Sequence, residues 1–268
     1  MNSIDMFDFF TQLKARNEAL FYFGLICFIA SVAFFLLSRT TSTQLYGVNA
    51  WNKPLKFALS IGIYAWTMGW YCHYLTGFNS GWFNWMVIGM LGFEIIYIAL
   101  QAGKGQPSHY NVSSSFYSAL YVMMAMAASV VTICTAYVGW LFFTGSFPAL
   151  PDYYLWSVRL GIVIFVVFSF EGFAMGSRMS HSVGAVNDNS SLFVLGWSKT
   201  VGDLRIAHFI GMHALQVLPI LSFYVLKSTR ATVVIAVLYG FLAIFTLVQA
   251  LQGKPLVGSS EMMTHQEK

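Results

Sequence analysis

Apolar residues gather along the chain into seven stretches long enough to cross a bilayer, which takes about 20 residues at about 1.5 Å each. They run Ala19–Ser38, Pro54–Leu75, Trp82–Gln101, Phe116–Phe143, Tyr154–Gly176, Leu204–Leu226 and Thr232–Leu251. Each is expected to be a helix, because a helix satisfies every backbone polar group within its own segment. The fold class read from this pattern is all-α, an integral membrane bundle of seven transmembrane helices. Residues 19–251 form its single domain. Ahead of it, residues 1–18 alternate apolar Ile4, Met6, Phe7, Phe9, Phe10 and Leu13 with Asp5, Asp8, Lys14 and Arg16, as a short helix lying at the interface does. Residues 252–268 read as a disordered cytoplasmic tail. The first apolar run is full length and ends in Ser38-Arg39-Thr40 without a small-residue cleavage site, so it is expected to stay in the mature protein. No internal repeat is read along the chain.

Composition removes the soluble alternative. Of 268 residues 57% are hydrophobic and 9% charged, whereas a soluble domain carries roughly a quarter charged residues. The net charge of +4 is small and its cations are scattered, so nucleic acid is not expected as a partner. The expected partners are the lipid bilayer and a lipid-soluble small molecule. Cys27, Cys72 and Cys134 sit inside apolar runs without CxxC spacing and read as small core hydrophobes.

Orientation follows from the cations, which favour the cytoplasmic side. Arg39, Lys53, Lys56, Lys104, Arg178, Lys199, Arg205 and Lys254 fall at one end of the segments, Lys14, Arg16, Arg159, Lys227 and Arg230 at the other. The expected topology is therefore N-terminus out and C-terminus in, across a cytoplasmic (plasma) membrane. Trp70, Trp82, Trp85, Trp140 and Trp156 then cluster near the outer boundary, as an aromatic belt does.

Polar residues inside the spans are the candidates for chemistry, because each costs roughly 2.5 to 3.5 kcal/mol to insert and needs a reason to be there. Glu94 shares a helical face with Gln101, and Glu171 shares one with Arg178. Arg205, His208, Met212 and Gln216 form a third stripe on the sixth segment. The expected result is a polar pocket open to the cytoplasmic half, with Glu94, Glu171, Arg178 and Arg205 as catalytic groups. The alternative is that the same groups pair with one another, Glu171 with Arg178 or Arg205, and hold helices in register. Asp203 is placed to cap the sixth helix.

Six imidazoles invite a cofactor. His208 and His213 are five residues apart and point about 140° from each other, so one ion cannot readily take both. A transition metal would need ligands from several elements, with His109, His181 and His208 as the expected set. A haem would need only one or two imidazoles. His109, His181, His208, His213 and Gln216 are the candidate cofactor-binding residues, and His73 reads as interfacial. Ser108-His109 and Ser180-His181 are neighbours in sequence, but no GxSxG elbow accompanies them.

These features point first to a membrane-embedded redox enzyme using a His-ligated metal or haem on a lipid-soluble substrate. A proton-coupled transporter or channel is the second reading, and a ligand-binding sensor or assembly factor the third. Seven spans also suit retinal proteins, but Thr232–Leu251 has no lysine for a Schiff base.

Overall fold

Each apolar stretch folds into the helix its pattern requires, within a few residues of the expected ends. The computed structural model describes residues 6–184, 192, 195–256 and 258. The chain clusters into two compact units, residues 1–147 and 148–268. In the first lie α1 (Met6–Arg16), α2 (Glu18–Thr40), the two-residue strands β1 (Gln44–Leu45) and β2 (Val48–Asn49), α3 (Asn52–Cys72), α4 (Ser80–Gly103) and α5 (Ser115–Thr144). In the second lie α6 (Asp152–Arg178), β3 (Ser182–Val183), β4 (Gly202–Asp203), α7 (Arg205–Leu221) and α8 (Thr229–Leu251). The tail beyond Leu256, Gly258 apart, falls outside the described residues, as does most of residues 185–194.

Among the described residues six helices, α2, α4, α5, α6, α7 with its extension, and α8, are long and apolar enough to cross a membrane. The seventh expected span, α3, falls short of that apolarity although it has 21 residues. Outward faces carry bulky apolar side chains, such as Ile26, Ile29 and Val32 on α2 and Val234, Phe241 and Phe245 on α8. Water would not tolerate such faces, whereas lipid covers them without cost.

In the first unit, α2 and α3 cross where glycines face each other. A Cβ on Gly24 would lie 2.3 Å from Trp66 Cδ1, and one on Gly62 would lie 3.0 Å from Phe28 Cζ. Small residues let backbones approach where lipid offers no hydrophobic drive between helices. The N-terminal segment is helical and docked. Phe9 stacks on Trp70 with centroids 5.3 Å apart, the Arg16 guanidinium lies 3.7 Å over the same ring, and Leu13 is fully buried. Tyr64 on α3 and Thr135 on α5 share a buried hydroxyl bond of 2.7 Å.

In the second unit, α6 and α7 cross just as closely. A Cβ on Gly211 would sit 2.1 Å from Phe168 Cγ, and one on Gly161 would sit 2.9 Å from the Ala214 carbonyl oxygen. Pro219 lies near the end of α7, which continues as a π-helical turn, Ser222–Leu226. Proline removes a ladder N–H and crowds the preceding turn, a common origin of such local widening. Ser222 Oγ donates to the Tyr153 carbonyl and pairs with Thr232 Oγ1, each at 2.8 Å, so this turn is tied to the starts of α6 and α8.

The two units share one order of parts. Each has a helix, a pair of two-residue antiparallel strands, a helix crossing the first at a glycine, and a third helix ended by a left-handed glycine, Gly105 or Gly253. The likeness is sparse in sequence because lipid-facing positions accept almost any apolar side chain.

Candidate functional site

Glu171 projects from α6 two turns before its C-terminal end, with its side chain only 6% exposed. Neither carboxylate oxygen has a hydrogen-bond partner among the described residues. Its ionisable neighbour is His208 of α7, whose Nδ1 lies 3.4 Å from Glu171 Oε2. The same Nδ1 stands 2.7 Å from the Phe168 carbonyl oxygen. A carbonyl can only accept, so Nδ1 carries the hydrogen and donates it to Phe168. In the neutral imidazole Nε2 is then the bare nitrogen. Gly172 leaves room for the ring, since a Cβ there would lie 3.4 Å from His208 Cε1.

The partner expected for Glu171 was a cation, Arg178 or Arg205, and the structure corrects this to His208. Two residues seven apart share a helical face yet stand about 10 Å apart along the axis, so Arg178 lies two turns further on, in the exposed last turn of α6. Arg205 is engaged elsewhere. Its Nε donates to Asp203 Oδ1 at 2.9 Å and its Nη2 to Asp203 Oδ2 at 2.6 Å, and Nη2 also donates to the Gly196 carbonyl. Asp203 Oδ1 also accepts the Arg205 backbone N–H at 3.1 Å, so it caps α7 as its position suggested. Burial alone would raise the Asp203 carboxyl. The Arg205 hydrogen bonds and charge, the Ser198 N–H and nearby His181 outweigh it and hold the carboxyl below the usual range.

The other candidates are distributed. His181 pairs through Nδ1 with Ser182 Oγ at 3.2 Å, and its carbonyl accepts the Leu204 N–H. His213 turns back on its own helix, with Nδ1 2.8 Å from the Phe209 carbonyl oxygen. Gln216 lies on α7 two turns beyond His208 and is half-buried. Glu94 and Gln101 belong to the first unit, on the buried face of α4. Glu94 is 7% exposed and has no charged partner among the described residues. Gln101 Nε2 donates to the Pro107 carbonyl at 3.2 Å and so closes the end of α4.

His109 follows in the loop after α4. Its Nδ1 meets Ser108 Oγ at 3.2 Å and its ring packs edge-on to Phe57. Burial first, and the Lys53 charge second, hold this imidazole well below its ordinary value, so it is neutral. Among the described residues no three His, Cys, Asp or Glu side chains come together as a metal would require. The second unit does carry a groove between α6 and α8, but Leu160, Val163, Ile164, Ala236 and Phe241 make it apolar.

Asn17 and Asn84 were not singled out by sequence, because each stands at the edge of an apolar run where a polar residue is ordinary. Nor was His208 seen as the partner of Glu171. Helical spacing relates residues along one segment and says nothing about the neighbouring one.

Fold and polar groups together define a multi-pass α-helical membrane protein. Compared with protein-family models, characterised proteins and solved structures, the chain matches none.

Proposed function

We propose that this chain is a proton-coupled carrier or channel of the cytoplasmic membrane, with seven spans, N-terminus out and C-terminus in, in which Glu171 and His208 hold and release a proton. One observation carries this reading: a buried carboxylate with no hydrogen bond stands 3.4 Å from an imidazole. A buried carboxylate without a hydrogen bond is costly and needs a reason to be there. Ionisable groups placed this way inside spans commonly relay protons.

A membrane-embedded redox enzyme is the second reading, favoured by the bare Nε2 of His208. That nitrogen suits an axial haem position, which needs no gathered set of three ligands. Purified protein in liposomes under a potassium diffusion potential, with an internal pH dye, tests the first reading. Proton flux that Glu171→Gln reduces at least tenfold supports it. A haem absorption band that His208→Ala abolishes would replace it with the second, and flux unchanged by Glu171→Gln would refute the role of the pair.

A further inference from the structure

Two stretches on corresponding helices align without a gap. Leu55-Lys56-Phe57-Ala58-Leu59-Ser60-Ile61-Gly62 at the start of α3 matches Leu204-Arg205-Ile206-Ala207-His208-Phe209-Ile210-Gly211 at the start of α7, with Leu, Ala, Ile and Gly identical and Lys replaced by Arg. Residues 92–107, running from Gly92-Phe93 through Gln101-Ala102 to Gly105 and Pro107, match residues 240–255, running from Gly240-Phe241 through Gln249-Ala250 to Gly253 and Pro255. The distance between the two stretches differs by a single residue in the two halves. Apolar helices match by chance at some positions, so the weight falls on what the matched residues do.

They do the same things. Gly62 receives Phe28 from the preceding helix, and Gly211 receives Phe168. Ala58 and Ala207 are both fully buried. Gln101 Nε2 donates to the Pro107 carbonyl at 3.2 Å, and Gln249 Nε2 to the Pro255 carbonyl at 2.8 Å. Gly105 N–H donates to Ala102 and Gly253 N–H to Ala250, while Gln106 N–H donates to Gln101 and Lys254 N–H to Gln249. Each cap is the six-to-one closure in which a left-handed glycine ends a helix, with φ of 63° at Gly105 and 75° at Gly253. The side-chain bond from glutamine to proline is no part of that common closure, and its recurrence is specific to this chain. Even the helices before the hairpins end alike, in Ser38-Arg39 and Ser177-Arg178.

We infer that the chain is a tandem duplication, in which α2–α4 and α6–α8 are two copies of one three-helix unit that cross the membrane in the same sense, joined by α5 as a connecting span. Three crossings leave a chain on the opposite side from its start, and only a further span lets the second copy begin where the first did. The duplication makes α3 a span, because its counterpart α7 is apolar enough to cross and the two start with the same motif. The cations at the matched positions, Lys56 with Arg205 and Arg39 with Arg178, then gather on one side, as the distribution of positive charge requires. Repeats of one sense occur among membrane carriers.

The duplication also sorts the polar residues. Arg205 and Gln101 have counterparts in Lys56 and Gln249, so they belong to the shared frame. His208 stands where the first copy has Leu59, His213 where it has Tyr64, and Glu94 where the second copy has Leu242. His208 and Glu94 thus stand where the other copy has an apolar residue, and the shared frame does not account for them.

Single cysteines test this, placed by Ser42→Cys, Lys104→Cys, Ser177→Cys and Lys254→Cys in a chain whose three native cysteines are alanine. All four replaced positions are exposed in the structure. A membrane-impermeant thiol reagent should label all four from the same side. Because α3 lies between Ser42 and Lys104, and four crossings separate Ser42 from Ser177, labelling of Ser42→Cys or Ser177→Cys from the opposite side to the others would overturn the duplication. If the cysteine-free chain does not fold, epitope insertions at the same four points in the native chain decide it by the same criterion. None of these outcomes depends on whether Glu171 exchanges a proton.

Discussion

Asn17 and Asn84 face each other with their amides paired both ways, Nδ2 of each donating to Oδ1 of the other at 2.9 and 3.0 Å. Both are buried, and Asn17 Oδ1 also accepts the Leu20 N–H that begins α2. One residue thus ends α1, caps α2 and fastens the first turn of α4. Replacing Asn84 by Leu strands the Asn17 amide, at a cost of about 1–3 kcal/mol for a buried polar group left unpaired. Thermal unfolding in detergent should show the loss. Asn84→Gln, whose longer amide is misplaced, should recover little of it.

Gly211 has no room for a methyl group, with Phe168 Cγ 2.1 Å from where it would stand. Gly211→Ala should lower stability by about 1–3 kcal/mol through overpacking. Adding Phe168→Leu should return none of it, because leucine keeps the Cβ and Cγ that stand 2.2 and 2.1 Å from the added methyl. A double mutant more stable than Gly211→Ala in the same unfolding measurement would show that the ring, and not these two atoms, is the obstruction.

Asp203 and Arg205 form an ion pair whose carboxylate is fully buried. Removing one partner of a buried pair leaves an uncompensated charge, so Asp203→Asn should cost on the order of 3 kcal/mol. The effect should register as a loosened loop, read as faster hydrogen exchange at Ser198, Val201 and Arg205, whose amides or their neighbours lean on this carboxylate.

His109 sets a dependence on pH. Its imidazole is held neutral well below the ordinary histidine value, so between that depressed value and about 6.5 the unfolded chain binds more protons than the folded one. Stability therefore rises with pH across this window and is lost as the medium is acidified through it. Melting temperatures measured from pH 7.5 down to 5 should fall less for His109→Gln than for the native chain.

Glu171 and His208 should behave as one unit. Glu171→Gln and His208→Leu each disturb the same 3.4 Å contact, so in a double-mutant cycle the pair should show a coupling of about 1 kcal/mol or more. Strictly additive losses would mean that the two side chains are neighbours without interaction.

The helices were legible in the chain because lipid imposes a simple rule, and α5 falls one residue beyond its expected limits at each end. Membrane crossing by α3 was read from length, and its lower apolarity shows why length alone leaves that span in need of the second argument from α7. The partner of Glu171 was not legible. Arg178 is a neighbour along the helix only in projection, and His208 arrives from another helix through a crossing set by Gly211 and Phe168. Arg205 looked like an intramembrane charge in need of a function, and it is instead half of a cap. The repeat lay in the sequence throughout, but seven identities in sixteen positions of apolar helix carry little weight until the same glutamines are seen closing the same turns.

The close crossing of α2 and α3 bears on how the chain enters the membrane. The first of these helices is strongly apolar and partitions into lipid by itself, while the second is not apolar enough to do so unaided. With Gly24 and Gly62 letting the backbones touch and Trp66 Nε1 donating to the Phe21 carbonyl, α3 exchanges contact with lipid for contact with a helix already made. On the proposed seven-span topology the two would be inserted as a hairpin, the earlier helix serving as the surface against which the later one leaves water.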